Sequence, residues 1–204
     1  MEPLKAFLEK HKANLEQKVP IDLLTATRND LAVLFGEMNL TVGVELGVES
    51  GKFSETLLSS NPALRLTSID GWTAYRGYRD HVSQSKMDGF YADAKERLKK
   101  FGDRTTLMKN YSMDAVKKFA PGQLDFVYLD GNHSFDYVMQ DIIEWSKRVR
   151  SGGIVAGHDF IRRLNEPVHV IQATQVYTYC HWISPWFTVG GATKETRSFF
   201  WVKP

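Results

Sequence analysis

The sequence contains a single cysteine, Cys180, so no disulfide can form within the chain and a reducing, cytosolic setting is expected. It lacks any apolar run of the ~18 residues that a membrane span needs. The opening stretch MEPLKAFLEK lacks the long apolar core of a signal peptide. Charge of one sign is also scarce: the net value is +2, which excludes a strong field for nucleic acid or anionic lipid. The one dense cationic stretch, KRVR from Lys147 to Arg150, ends a helical pattern, where the helix dipole alone favours cations. Repeats, low-complexity tracts and a linker to a second domain are missing. What is there is ordinary for a globular chain: 204 residues, 43% hydrophobic and 25% charged, enough for one domain with a full-sized core.

The patterning alternates. Two helical patterns open the chain, PLKAFLEKHKANLE and IDLLTATRNDLAVLFGEM, and define an N-terminal helical extension over residues 1–40. They suit a lid or an interface, and a homodimer is one expectation. A core follows over residues 41–204. Apolar strands, TVGVELG, RLTSID, RTTLMKN, LDFVYLDG and GGIVAGHD, are each separated by helical stretches. The helix SFDYVMQDIIEWSKRV places Phe135, Val138, Met139, Ile142, Trp145 and Val149 at helical spacing, and SGG stops it. Continuous apolar strands require burial on both faces. Alternation with helices then predicts a Rossmann-like, doubly wound, mostly parallel α/β sheet. The tail WFTVGGATKETRSFFWVKP reads as two strands forming an antiparallel hairpin that closes the sheet.

Four acids end apolar runs: Glu45, Asp70, Asp130 and Asp159. A single acid there reads as the cap of the next helix. Four in succession read as one shared site, since the carboxyl edge of an open parallel sheet holds the ligand crevice. The first loop, VELGVESGKF, has Glu45, Gly47 and Gly51, an E-x-G-x-x-x-G spacing. It departs from the G-x-G-x-x-G of dinucleotide sites, and an acid stands where a phosphate would be repelled. No Lys-Ser/Thr pair of the P-loop kind follows. A carboxylate suits a cationic ligand, Gly47 permits close backbone approach, and Asp70 is placed like an acid that grips ribose hydroxyls. A ligand with a positive charge, a carboxylate, a ribose and no phosphate fits, which points to S-adenosylmethionine.

VELGVESG, IDGW, YLDGNHSFDYV and GGIVAGHDF occur in that order, and with them the chain resembles the class I S-adenosylmethionine-dependent methyltransferases from roughly Arg28 onward. The match is narrower still to a small group whose later strands carry DGxHSFxxV and GGIxAGHDF. The resemblance implies a seven-stranded sheet with an antiparallel C-terminal strand and a cofactor lying across the ends of its first, second and fourth strands. It implies that Glu45 meets the methionine amino group and that Gly47 lies against the methionine part. The helix start at Gly51, Lys52 and Phe53 would favour the carboxylate. Asp70 would hold the ribose, followed by Gly71, with Trp72 either covering the adenine or anchoring the loop in the core. Asn110, Ser112 or Asp114 would read the adenine amino group, Ser112 serving equally well as a helix cap. Asp130 belongs to both the cofactor site and the catalytic set.

A sulfonium already activates its methyl group, so the protein must mainly align an acceptor and exclude water. An oxygen or amine acceptor also needs its proton removed, and the candidates are Asp130, His133, His158 and Asp159. His133 as a base acting near pH 7 is the preferred reading. Adjacent strand residues point opposite ways, so only one of His158 and Asp159 should face the site, with Asp159 favoured. Related oxygen methyltransferases hold a divalent ion with acids in the regions of Asp130 and Asp159. Here Asn132 and the histidines interrupt the acid pairs, which weakens magnesium and suits a softer ion, so a metal is second choice. Tyr75, Arg76, Tyr78, Arg79 and His81 suit a planar or anionic small-molecule acceptor. His11, His169 and His181 have no convergent partners in sequence and receive no role. Two alternatives stay open: an NAD-dependent oxidoreductase on a similar sheet, and a module that binds S-adenosylmethionine without transferring anything.

Overall fold

The computed structural model describes residues 2–74, 82–163, 166–191 and 196–204. In chain order the elements are α1 (Glu2–Lys10), β1 (Ile21–Leu23), α2 (Arg28–Glu37), β2 (Val42–Leu46), α3 (Lys52–Ser60), β3 (Arg65–Asp70), α4 (Gln84–Leu98) and β4 (Thr105–Lys109). Then follow α5 (Ser112–Ala115), β5 (Leu124–Leu129), α6 (Phe135–Arg148), β6 (Val149–Gly157), α7 (Val170–Cys180), β7 (Phe187–Val189) and β8 (Ser198–Val202). The strands form one sheet in the order β1-β7-β8-β6-β5-β2-β3-β4. Only β8 runs against its neighbours, β6 and β7, so the expected C-terminal hairpin is present.

The apolar runs are explained by layers on both faces. Along β5, Phe126 and Tyr128 join the core under α1, α2 and α3, while Val127 and Leu129 join the core under α5, α6 and α7. On β8, Phe200 takes the first side, and Phe199 and Trp201 take the second. Helix α6 buries Val138, Ile142 and Trp145 as its spacing predicts, and also Asp141. No helix among the described residues is long and apolar enough to cross a membrane.

The sheet has eight strands rather than seven. The extra one, β1, lies where the second helical pattern was expected to begin, so the first forty residues are not purely helical. Ile21 and Leu23 are buried with Asp22 half-buried between them, a strand alternation, and they pair in parallel with Phe187 and Val189. Helix α2 starts only at Arg28, where Thr27 and Asp30 form a reciprocal capping box. A three-residue edge strand has too short a period to be told from a helix start. Its existence is decided by β7, far away in sequence.

The connection from β4 back to β5 reverses the strand order between β2 and β5, the position at which open sheets of this type form a crevice. Strands β1 to β7 all point their carboxyl ends to that edge.

Candidate active site at the carboxyl edge of the sheet

The ends of β2, β3 and β5 are level: Leu46 is in register with both Ile69 and Leu129. The chain leaving β2 stays clamped between its neighbours, Gly47 N–H donating to Ile69 O and Asp130 N–H to Leu46 O, both at 2.9 Å. Gly47 is required here for a reason within the fold. Its φ is +78°, and a Cβ would fall 1.8 Å from the Asp130 carbonyl oxygen. Gly51, at φ +77°, caps α3 with backbone alone. Phe53 is buried in the first turn of α3 and packs on Tyr128, centroids 4.4 Å apart.

Glu45 is only 2% exposed and faces α3, where Ser54 donates to its carboxylate. Ser54 in turn shares a 2.9 Å hydrogen bond with Ser68 on β3. Burial pushes the Glu45 carboxyl up to about 8, with Asp130 adding to the rise and Ser54 and Arg28 opposing it. A carboxyl kept partly neutral for want of a counter-charge is a fitting partner for a cationic ligand.

Asp70 is largely occupied by the loops around it. One oxygen accepts the Val48 and Glu49 amides at 3.0 Å, and the other accepts the Trp72 amide at 2.8 Å. A carboxylate offers about four acceptor positions, so three are in use and room for one hydroxyl remains. Burial raises its proton affinity, and the three amides pull against that. Trp72, 1% exposed, donates its indole N–H to Glu49 O at 2.8 Å and packs on Tyr91, which makes it an anchor of this loop. Gly71 lies beneath the Tyr111 ring. Ser112 is not a cap. It donates to Asp141 and accepts the Trp145 indole N–H at 2.8 Å, tying the start of α5 to α6. Asn110 Oδ1 accepts the Tyr111 amide, and Asp114 is exposed and paired with Lys117. The residues Tyr75, Arg76, Tyr78, Arg79 and His81 lie outside the described residues.

The remaining candidates converge. His133 Nε2 lies 2.9 Å from Asp159 Oδ2 and 3.4 Å from Asp130 Oδ1. His158 Nδ1 lies 3.6 Å from Asp130 Oδ2 and 3.8 Å from Asp159 Oδ2. The expectation that only one of His158 and Asp159 would face the site is overturned. Strand β6 ends at Gly157 and Asp159 has a φ of +51°, so strand alternation no longer applies and both side chains turn inward. Burial lowers both imidazoles, but hydrogen bonds and charge from Asp130 and Asp159 outweigh it and lift each to about 9. Burial works to raise Asp159 as well, yet His133 and His158 hold it well below the usual carboxylate range. Each imidazole thus lies against both carboxylates, which favour its charged form. One oxygen each from Asp130 and Asp159 and one nitrogen from His133 also lie within 4.8 Å of one another. Ligand atoms around a six-coordinate ion with bonds of about 2.1 Å sit roughly 3–4 Å apart, so the same residues fit a divalent ion. The mixed imidazole and carboxylate donors suit a borderline ion better than magnesium.

Two contributors, His169 and Arg28, have no signal in a linear reading. His169, just before α7, donates its amide to His133 O at 2.8 Å, and its Nδ1 accepts the Phe135 amide at 3.3 Å, so it clamps the loop that carries His133. Arg28, the first residue of α2, reaches the same edge. Asp141 did have a signal, an acid within the apolar stripe of α6. It is buried, raised to about 7 by that burial, and lines a small cavity with His133 and His158. A larger groove of about 510 Å³, lined by Val19, Tyr179, Trp182 and Trp186 among others, lies where β1 and β7 begin, at the edge away from the acids.

An open, mostly parallel sheet with acids at the ends of adjacent strands and no phosphate cradle defines the class of α/β enzymes that hold a nucleoside-bearing cofactor across the strand-order reversal. Residues 44–160 match the family model described as a methyltransferase domain, and the chain belongs to that family. Among curated proteins, none matches its sequence significantly. Solved structures share its fold at low identity. An O-methyltransferase from Bacillus cereus in complex with SAH is 14% identical with a TM-score of 0.61, covering 100% of this chain and 91% of that one. The O-methyltransferase TomG from Streptomyces achromogenes, involved in tomaymycin synthesis and in complex with SAM, is 17% identical with a TM-score of 0.60, covering 100% and 91%. Cofactor-bound Rv0187 from MTB is 16% identical with a TM-score of 0.61, covering 100% and 90%.

Proposed function

We propose that the protein transfers the methyl group of S-adenosylmethionine to an oxygen of a small-molecule acceptor. The observation that carries this is the gathering of Glu45, Asp70 and Asp130 at the carboxyl ends of β2, β3 and β5, Glu45 two residues below the level of the two aspartates, with Asp130 beside the His133–Asp159 pair. The family match supports methyl transfer, and the SAH- and SAM-bound O-methyltransferases that share the fold support the cofactor and the oxygen acceptor. Glu45 answers a cationic group, Asp70 has an acceptor position left for a hydroxyl, and the start of α3 offers free amides to a carboxylate. S-adenosylmethionine, when bound, supplies a methyl group already activated by its sulfonium.

The chain's own part is to bind, align and take a proton. An imidazole lifted to about 9 is mostly charged at pH 7, so His133 accepts a proton at Nε2 only as the medium becomes alkaline. That moves the expected pH dependence up from the unperturbed histidine value of ~6.5. The three-residue convergence favours a second reading, in which Asp130, His133 and Asp159 hold a divalent ion that supplies Lewis acidity.

Calorimetry of purified protein tests the cofactor: S-adenosylmethionine or S-adenosylhomocysteine should bind at micromolar strength and NAD should not. No heat with either adenosyl ligand in a folded sample refutes the proposal. The two readings of the cluster separate in one further experiment. With a base alone, chelator leaves methyl transfer unchanged, and His133→Ala lowers it by about a hundredfold. With an ion, chelator abolishes turnover, and crystals grown with manganese give an anomalous peak between Asp130 and Asp159.

A further inference from the structure

Arg28 is placed where a cation is not expected. It is the first residue of α2, and the amide end of a helix disfavours positive charge. It is half-buried, yet its guanidinium has no hydrogen bond or ion pair among the described residues. The nearest helix-start acid is already engaged: Asp30 accepts the Thr27 amide at 2.9 Å and the Thr27 hydroxyl at 2.7 Å, and Lys10 lies 3.6 Å away. Five N–H donors thus stand in a partly desolvated position without an acceptor.

The fold explains where they point. Strands β1 and β2 run in the same direction, so α2 and α3 both begin at the carboxyl edge. There the Arg28 guanidinium lies over the Phe53 ring, 5.1 Å from its centroid, beside the first turn of α3. Phe53 fixes one face of the guanidinium and leaves its edge available. The charge is also felt by Glu45, whose carboxyl Arg28 makes easier to ionise.

We propose that Arg28 is the anchor for the carboxylate of the cofactor's amino-acid moiety, paired edge-on and stacked on Phe53. This rests on the cofactor assigned above. The neighbouring chemistry is that of an α-amino acid, with Glu45 for the ammonium and Arg28, with the amides of α3, for the carboxylate. A planar guanidinium takes a carboxylate in a fork that lysine cannot reproduce.

The test compares two ligands on two proteins by calorimetry. One ligand is S-adenosylhomocysteine. The other is its decarboxylated analogue, which keeps the amine and loses the carboxylate. Loss of a charge-assisted pair corresponds to about ten- to a hundredfold in affinity. Arg28→Gln should therefore weaken S-adenosylhomocysteine by at least about tenfold and leave the analogue unchanged, and Arg28→Lys should restore only part of the loss. A thermal melt of each variant confirms folding, and Thr27 with Asp30 keeps the α2 cap intact. Equal affinity of wild type and Arg28→Gln for S-adenosylhomocysteine overturns the Arg28 assignment alone. Equal weakening of both ligands also overturns it, because the carboxylate would then not be the partner. Failure of the wild type to bind either adenosyl ligand overturns the cofactor reading and this inference with it.

Discussion

Gly47→Ala is the substitution that most directly tests the account of the site. Two costs are separable. An L-residue at φ +78° pays the left-handed penalty of about 1–2 kcal/mol. The new Cβ would also fall 1.8 Å from the Asp130 carbonyl oxygen and 2.4 Å from its carbonyl carbon. These are backbone atoms tied to Leu46 by the Asp130 amide, so relief requires moving the end of β5, an overpacking cost of roughly 1–3 kcal/mol. Together the loss is about 2–5 kcal/mol, which for a chain of this size lowers Tm by roughly 4–20 °C. The group displaced is Asp130, so cofactor affinity should fall in the same variant. Gly89→Ala is the control. Gly89 lies inside α4 with nothing within 4 Å of its virtual Cβ, so alanine there should stabilise by about 0.5–1 kcal/mol. Differential scanning fluorimetry of the pair suffices. A Gly47→Ala melt within 2 °C of wild type, with Gly89→Ala behaving as expected, would refute the claim that the loop after β5 dictates this glycine.

Asp70→Ala should lower both cofactor affinity and stability, the latter by about 1–3 kcal/mol, because Val48, Glu49 and Trp72 lose their acceptor; a melt unchanged from wild type refutes the structural part. Glu45, raised from 4.5 to about 8, contributes stability that is complete below its unfolded value and is lost as pH rises through 8. The unfolding free energy of the cofactor-free protein relative to Glu45→Gln should therefore fall between pH 5 and 8, by an amount of order a few kcal/mol, and parallel curves for the two proteins would contradict it. His169→Ala should reduce turnover with little change in cofactor affinity, since the Phe135 amide loses its Nδ1 acceptor and the loop that carries His133 is then held there by the backbone bond from residue 169 alone. Asn at 169, which can still accept the Phe135 amide, should recover part of the rate, and no difference between Ala and Asn would show that the clamp is irrelevant.

Much of the fold was legible in the sequence because its signals are local. Continuous apolar runs at β2, β5 and β6 declare burial on both faces, and the helical spacing of Val138, Ile142 and Trp145 declares the side of α6 that is buried. Acids placed directly after those runs fall at the strand ends wherever the sheet forms, so Glu45, Asp70, Asp130 and Asp159 could be gathered at one edge in advance. The hairpin of β7 and β8 is likewise written in neighbouring residues.

What the sequence could not hold is whatever depends on a partner distant along the chain. Strand β1 exists because β7 accepts it. The reason for Gly47 is a carbonyl more than eighty residues later, and Asp70 is an acceptor for loop amides as much as a candidate for a ligand. The inward turn of both His158 and Asp159 follows from where β6 stops and the backbone changes hand. Their protonation, and that of His133, follows from burial and from two carboxylates arriving by different strands. Periodicity and end-of-strand chemistry are properties of neighbours in sequence. Clearance, desolvation and charge pairing are properties of neighbours in space, and these only the tertiary structure decided.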